Sequence, residues 1–169
     1  AVTMHSVLQP TFNPIDGSII GMFDQAVDWV AENNYKGLVI ASEATHFSAG
    51  ANLALMLRAI DEKDWEGLDA MSKAMQDTLQ KVRFAPFPVV AAPHWMALGG
   101  GYETIGACDR IVAAAELYPG LVEVGVGLIP GAGGNLRMIM KAQDRLSKGR
   151  AGAFQVAQKA FEAIGFAKV

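Results

Sequence analysis

The stretch from Phe84 to Tyr102, FAPFPVVAAPHWMALGGGY, contains no formally charged side chain and is long enough to suggest a membrane-spanning helix. Pro86, Pro88, Pro93 and the triplet Gly99–Gly101 would interrupt such a helix repeatedly, because proline removes a backbone donor and glycine disfavours helical backbone. We therefore interpret the segment as buried strand and loop, and expect no membrane partner.

The composition places this segment in a globular protein. The chain has 169 residues, of which 51% are hydrophobic and 18% charged, as expected for about one domain and not for a disordered chain. A net charge of −3 provides no basic surface for nucleic acid. Cys108 is the one cysteine, so no intramolecular disulfide forms, and the start AVTMHSVLQP lacks a secretory pattern. We expect a cytoplasmic protein.

Helical and strand-like segments alternate along the first half of the chain. Asp16 is placed to cap a helix over GSIIGMFDQAVDWVAENN, and Gly37 precedes LVIAS, an apolar run without alternation that is typical of a doubly covered parallel strand. A short helix is expected from Leu53 to Ile60, and Asp64 is placed to cap a longer one that ends near Phe84. The predicted buried stripes are Ile19, Met22, Phe23, Ala26, Val27 and Val30 in the first helix, and Trp65, Leu68, Met71, Met75, Leu79 and Val82 in the long one.

The second half continues the same alternation. VVAA and RIVAAA are predicted strands, and Gly99–Gly101 should open a helix that runs to about Cys108. Gly131–Gly134 should open another helix through Met140, and a last amphipathic helix is expected near Arg150–Lys168. This order predicts an α/β layered domain. We place its core at residues 1–145 and the start of a C-terminal helical region at 146–169.

Two glycine-rich or small-residue loops precede predicted helices. Glycine lets another group approach the backbone closely, and a helix start directs unpaired N–H groups at that group. Gly100 is thus a candidate donor to a developing oxyanion, and SAGAN (Ser48–Asn52) repeats the arrangement before the next helix. From the residues themselves, the alternative that these loops merely form tight turns stays open.

Two glutamates stand close to these loops in the sequence. Glu103 follows the glycine triplet in the first turn of a predicted helix, where a carboxylate is favourable in any case. Glu123 is flanked by Leu121, Val122, Val124 and Val126, an apolar setting in which a carboxylate is costly without a partner or a purpose. Two carboxylates in a dry pocket suit general acid–base chemistry if their surroundings separate their pKa values.

Other catalytic motifs fit poorly. The glycines of GVGLIPG miss the dinucleotide-binding spacing, and no P-loop or nucleophile elbow is present in the sequence. His5, His46 and His94 lack metal-ligand spacing, so we expect no metal site. Cys108 lies in an apolar helical segment and is expected to be a core residue and not a nucleophile.

Three segments in order, HFSAGANL, ALGGGYETIGACDRIVAAAE and LVEVGVGLIPGAGGNLRM, resemble the crotonase (enoyl-CoA hydratase/isomerase) superfamily. The resemblance covers about Met4 to Met140 and implies the crotonase-like layered β-β-α superhelix. It also implies that Ala51 and Gly100 donate their N–H groups to a thioester oxygen, and that Glu103 and Glu123 are the catalytic acids. Finer details resemble the hydratase module of bacterial fatty-acid oxidation proteins that also carry a 3-hydroxyacyl-CoA dehydrogenase.

The activity implied is hydration of 2-enoyl-CoA to 3-hydroxyacyl-CoA. Isomerisation of 3-enoyl-CoA to 2-enoyl-CoA, or acyl-CoA binding without turnover, remain alternatives. The resemblance implies an acyl-CoA substrate, no cofactor except NAD in an attached dehydrogenase domain, and a trimer or a module of a larger chain. The family pattern suggests truncation at both ends, and Asn52 stands where many relatives have aspartate. The implied substrate-binding residues are Ser48, Ala49, Gly50, Asn52, Leu53, Gly99, Gly101, Pro130 and Gly131.

Overall fold

The computed structural model describes residues 2–6, 13–146 and 152–167. Its strands are β1 (Val2–Ser6), β2 (Leu38–Ser42), β3 (Val89–Ala91), β4 (Met96–Leu98), β5 (Arg110–Ile111) and β6 (Tyr118–Gly120). Its α-helices are α1 (Gly17–Glu32), α2 (Leu53–Asp61), α3 (Trp65–Arg83), α4 (Gly100–Ala107), α5 (Gly134–Leu146) and α6 (Ala153–Gly165). A 3-10 turn spans Glu123–Val126. The described residues therefore form the α/β arrangement that the sequence predicts.

Aspartate caps fix where α1 and α3 begin. Asp16 Oδ1 accepts hydrogen bonds from Ser18 N at 2.9 Å and Ile19 N at 3.2 Å, and Asp64 Oδ1 accepts one from Gly67 N at 2.9 Å. Each bond satisfies a backbone donor that has no partner within its own helix. Both predicted caps are confirmed.

The larger sheet has four parallel strands in the order β1-β2-β3-β5. Parallel neighbours need crossover connections, which α1 supplies between β1 and β2, and α2 and α3 between β2 and β3. Burial alternates along β2: Leu38 and Ile40 are buried, whereas Val39 and Ala41 are half-buried. The prediction of a doubly covered strand is therefore wrong for the described residues, because they bury one face of the sheet more completely than the other.

A second sheet pairs β4 with β6 in parallel, with Leu98 opposite Gly120. The sequence predicted strand and loop before the glycine triplet but no strand at Tyr118–Gly120, where Pro119 weakens the local signal. The predicted strand RIVAAA is also shorter than expected, since β5 covers only Arg110–Ile111. These short strands are defined by their long-range partners more than by local periodicity.

The core lies between the sheet and the helices α1 and α3, which pack on each other. The predicted α1 stripe is buried except for Met22, which is partly buried, and Ile20 joins it. On α3 the stripe holds only in the second half: Met75, Leu79 and Val82 are buried, whereas Leu68 and Met71 are half-buried. Trp65 is 59% exposed, so its predicted burial is wrong, because the first turns of α3 extend beyond the described core.

The last two helices pack against each other beside the core. α5 runs to Leu146, beyond the predicted end at Met140, so the predicted boundary at residue 145 falls in its final turn. α6 packs on α5, with Ala160 buried. The predicted helix ends, Arg150 and Lys168, lie outside the described residues. No helix within the described ranges is long and apolar enough to cross a membrane.

The start of α4 lies directly on the loop that precedes α2. A Cβ added at Gly101 would be 2.9 Å from both the Cβ and the backbone O of Ser48. Real Cβ atoms do not approach backbone that closely, so the helix and the loop can meet only because residue 101 has no side chain. This contact brings two parts of the chain together that are about fifty residues apart in sequence.

Replacing Leu79 by alanine should destabilise the fold by about 2–5 kcal/mol, because the side chain is completely buried and its removal leaves a cavity. Trp65→Ala on the same helix should change the free energy of unfolding by less than about 0.5 kcal/mol. Urea denaturation followed by circular dichroism measures both. Equal losses for the two variants would contradict the assigned core.

Replacing Gly101 by alanine should lower the melting temperature, since the new methyl group overlaps Ser48, at a cost of about 1–3 kcal/mol. Alanine is otherwise the better helix former by about 1 kcal/mol. Gly21→Ala in α1 is the matched control, because its added Cβ would meet no other described part of the chain within 4 Å, and it should raise the melting temperature. Stabilisation by both substitutions would refute the close contact.

Candidate active site

The segment from Ser48 to Asn52 is held between two other parts of the chain. Ser48 N donates to Met96 O and Leu98 N donates to Ser48 O, both at 2.9 Å, so the segment begins beside β4. Three residues later it pairs with Ile15, just ahead of α1. Because both ends are fixed by backbone hydrogen bonds, the direction of the peptide groups between them is also fixed.

The Ala51 N–H points away from Ile15. Ile15 N donates to Gly50 O at 2.7 Å, and Asn52 N donates to Ile15 O at 3.2 Å. The Gly50 O and the Ala51 N belong to one trans peptide, in which the carbonyl and the N–H face opposite sides. With its carbonyl bonded to Ile15, this peptide presents the Ala51 N–H on the other side. Gly50 has φ of 96°, a conformation that glycine adopts without strain.

The Gly100 N–H is presented in the same manner at the start of α4. Glu103 N donates to Gly99 O at 2.9 Å, so the Gly99 carbonyl points into the helix. The N–H of the same peptide then points out of the helix N-terminus, where the helix dipole favours negative charge. Gly99 has φ of 51° and ψ of −121°, which sets this orientation.

These two N–H groups are neighbours. A Cβ added at Gly100 would lie 3.9 Å from Ala51 N, and one added at Gly50 would lie 3.5 Å from Gly100 N. Within the described residues, neither amide donates to a backbone or side-chain acceptor. Two adjacent donors from separate loops are suited to hold one oxygen atom that acquires negative charge.

Glu103 is buried on α4 and held by the turn before α5. Only 3% of its surface is exposed, and its Oε1 accepts hydrogen bonds from Ala132 N at 2.8 Å and Gly134 N at 2.6 Å. Burial raises the pKa of Glu103, while the two amides and the nearby Arg137 guanidinium act to lower it. The carboxylate is therefore desolvated but has partners that favour its charged form.

Glu123 lies on the 3-10 turn after β6 and reaches the other side of the glycine triplet. Its Oε1 lies 3.1 Å from the position of a Cβ at Gly99, and its Oε2 is buried without a hydrogen-bond partner among the residues that the structure describes. Burial raises the pKa of Glu123, its own backbone N–H acts to lower it, and repulsion from Glu103 raises it further. Of the apolar flanking residues in the sequence, Leu121 is buried, whereas Val124 and Val126 are exposed, so the predicted apolar setting holds only in part.

The remaining predicted site residues surround these groups with different degrees of exposure. Ser48 is buried and its Oγ accepts a hydrogen bond from Gly50 N at 3.1 Å, whereas Leu53 is exposed and Ala49 is half-buried. Asn52 caps α2 through Leu55 N at 3.4 Å. Pro130 O and Gly131 O accept bonds from Asn135 Nδ2 at 2.9 Å and Gln76 Nε2 at 2.7 Å, respectively, which fixes the turn that holds Glu103.

Sequence reasoning missed the groups that hold the predicted acids in place. The amides of Ala132 and Gly134 bind Glu103, and the Arg137 guanidinium lies behind them. The glycine-rich turn can be recognised in the sequence, but the sequence does not show that its amides bind the Glu103 carboxylate. A Cβ at Gly134 would lie 2.8 Å from Glu103 Oε1, so a side chain there would displace the carboxylate. Ile15, which orients Ala51, had no signal in its local sequence.

Cys108, the remaining candidate nucleophile, belongs to the core. Cys108 is buried, its Sγ donates to Thr104 O at 3.4 Å, and burial raises the pKa of its thiol to about 12, which agrees with the predicted core role. The described residues contain no group of three histidine, cysteine or acidic side chains arranged to hold a metal ion. The described site thus offers two backbone donors and two carboxylates around the glycine triplet.

Comparisons with known proteins identify the family of the chain. The profile of the Enoyl-CoA hydratase/isomerase family matches residues 2–153. A probable 3-hydroxyacyl-CoA dehydrogenase from Bacillus subtilis is 42% identical over 157 residues, which are 93% of this chain and 19% of that protein. A putative fatty acid oxidation complex trifunctional enzyme from Rickettsia prowazekii is 33% identical, over 84% of this chain and 20% of its own length. The chain thus spans about a fifth of these curated relatives.

Solved structures show the same fold. An enoyl-CoA hydratase from Polaromonas sp. JS666 superposes with a TM-score of 0.78 at 25% identity, over 99% of this chain and 60% of that one. An enoyl-CoA hydratase from Bacillus anthracis gives 0.77 at 25% identity, over 98% and 58%. The fold is that of the crotonases, as the sequence predicted, and the chain belongs to the enoyl-CoA hydratase/isomerase family.

Proposed function

We propose that the protein hydrates 2-enoyl-CoA thioesters to 3-hydroxyacyl-CoA. The observation that carries the proposal is the pair of adjacent amides, Ala51 N–H and Gly100 N–H, beside two desolvated carboxylates. A thioester carbonyl that accepts both amides places its C2=C3 double bond beside the acids. The same architecture without the carboxylates would polarise a carbonyl but would leave no group to move the protons.

The amides act on charge that appears during the reaction. When the water oxygen bonds to C3, electrons move through the double bond and the thioester oxygen becomes an enolate oxygen. Preorganised donors stabilise this charge more than they stabilise the neutral carbonyl of the bound substrate, which lowers the barrier. Their backbone carbonyls are already bonded within the fold, so the donors need little reorientation when the charge develops.

The surroundings of the two carboxylates support different protonation states. Glu103 has two amides and Arg137 to stabilise its charge, whereas Glu123 is repelled by Glu103 and has a buried oxygen that no group in the described ranges bonds. Glu103 is therefore the ionised base that accepts a proton from water. Glu123 is the acid that delivers a proton to C2, and exchange with solvent restores both groups after each turnover.

The other predicted substrate-binding residues shape the two loops around the thioester. Ser48, Gly50, Gly99 and Gly101 act through the close fit of the loops, and Ala49, Asn52 and Leu53 line the side on which α2 begins. Pro130 and Gly131 belong to the turn that binds Glu103. None of these roles requires a side chain to react.

The named relatives suggest the setting of this reaction. A 3-hydroxyacyl-CoA dehydrogenase acts on the product that hydration makes, so the two activities form consecutive steps of fatty-acid oxidation. In this proposal the module needs no cofactor of its own, and NAD belongs to a dehydrogenase region of a larger polypeptide. A cytoplasmic location and assembly as a homo-oligomer or within that polypeptide are parts of the same proposal.

Replacing either acid by glutamine should lower the rate of crotonyl-CoA hydration by about 10²–10⁴-fold, because each variant loses one proton transfer. The loss of enoyl absorbance measures the rate in the complete natural chain. A control substitution, Lys73→Gln on the exposed side of α3, should leave the rate unchanged.

A 3-enoyl-CoA substrate tests the alternative activity. Formation of the conjugated product from it, without hydration of crotonyl-CoA, would identify an isomerase. Calorimetric binding of CoA thioesters without either reaction would identify a non-catalytic binding module, and would overturn the proposed function.

The hydration rate should have a bell-shaped pH dependence. It falls at low pH as Glu103 becomes protonated and falls at high pH as Glu123 ionises. Because burial raises both pKa values from about 4.5, the acidic limb should lie above that of a free carboxylate. Glu103→Gln should remove the acidic limb from the residual activity. An unchanged profile in that variant would contradict the assignment of Glu103 as the base.

A further inference from the structure

The guanidinium of Arg137 donates hydrogen bonds to both segments that position Glu103, which are helix α4 and the turn before α5. Only 8% of Arg137 is exposed, and its Nη1 donates to Ala132 O at 3.1 Å and to the backbone Glu103 O at 3.4 Å. The first acceptor belongs to the turn whose amides bind the carboxylate. The second belongs to the residue that carries the carboxylate.

The Arg137 side chain can reach these two acceptors because two of the residues beside it are glycines. A Cβ at Gly133 would lie 2.9 Å from Arg137 Nη1, and a Cβ at Gly106 would lie 3.6 Å from Arg137 Cδ. Gly133 belongs to the turn and Gly106 to α4, so the side chain passes between the two elements that it joins. A shorter cation has less reach to both carbonyl oxygens.

We propose that Arg137 is a positioning residue for the hydration reaction: it joins α4 to the turn before α5 and so fixes the Glu103 carboxylate relative to the two oxyanion donors. This inference rests on the proposed function. Arg137 touches the backbone of Glu103 and not the reacting atoms, so its effect on the reaction is indirect. A misplacement of about 1 Å at a reacting group can cost about 100-fold in rate.

Several charged groups face this pair from the surrounding elements. Arg137 on α5 acts to lower the pKa of Glu103, and Glu103 in turn acts to raise the pKa of Glu123 on the 3-10 turn. Arg83 on α3 and the thiol of Cys108 act on Arg137. The cleft behind Arg137 is also lined by Asp109, Arg110, Lys141 and Asp144. Arg137 is the cation that acts on Glu103 among the described residues, so its removal should shift the pKa of Glu103 upward.

The test compares Arg137→Gln and Arg137→Lys with Lys141→Gln in the complete natural chain. Lys141 lies one turn further along α5, is exposed, and stands 5.7 Å from the Tyr102 ring, so its substitution removes a charge of the same sign from the same helix. Arg137→Gln should lower kcat for crotonyl-CoA by about 10–100-fold with KM changed less than about threefold. It should also move the acidic limb of the rate profile to higher pH.

The lysine variant separates positioning from a general loss of stability. Arg137→Lys retains the charge, so its acidic limb should stay near that of the parent protein while kcat recovers in part. Lys141→Gln should leave both quantities unchanged. An equal loss of kcat in the lysine and glutamine variants, with the acidic limb unmoved in both, would overturn the proposal.

A titration of the Glu103 carboxyl provides a readout that does not depend on activity. Its carbon-13 resonance, identified by its absence in Glu103→Gln, should titrate at higher pH in Arg137→Gln than in the parent protein. An unchanged midpoint in a folded Arg137→Gln variant overturns the inference about Arg137. A shifted midpoint in a protein that hydrates no enoyl-CoA supports the contact with Glu103 and refutes the proposed function.

Discussion

Backbone hydrogen bonds to two carbonyl groups determine the rest of the site. Ile15 N donates to Gly50 O and Glu103 N donates to Gly99 O, and each bond fixes the direction of one trans peptide. The amides at the other ends of these peptides, Ala51 N–H and Gly100 N–H, must then point away from the bonded partners. The fold thus orients both donors without using a side chain, and substitutions elsewhere in the loops matter mainly through the backbone.

Glu103 links the oxyanion donors to the carboxylates of the site. Glu103 orients Gly100 through its backbone N–H and brings its carboxylate to the turn before α5, where Ala132 N and Gly134 N bind it. A buried carboxylate needs such partners, because desolvation otherwise favours its neutral form. Within the described part of the chain Glu123 has no partner for its Oε2, and it is repelled by Glu103, so neighbouring acids of the same type have different environments. The pair is asymmetric because only one acid is held by the turn.

Local signals were sufficient for much of the fold. Asp16 and Asp64 act on the N–H groups of their own helices, so their effects can be predicted from a few adjacent residues. The strand at Tyr118–Gly120 and the exposure of Trp65 depend on which distant segments lie opposite, and the sequence pattern contains no such information. The two glutamates and the two loops were identified through their motifs, whereas the roles of Ile15 and Arg137 depend on contacts that span tens of residues.

The absence of a side chain at particular glycines allows the segments that form the site to pack closely together. At Gly101 and Gly134 a single methyl group would lie within 3 Å of Ser48 or of Glu103 itself. At these two positions separate parts of the chain approach one another so closely that no side chain fits between them. Glycine at residues 101 and 134 is consequently a steric condition for bringing the amides and the carboxylates together.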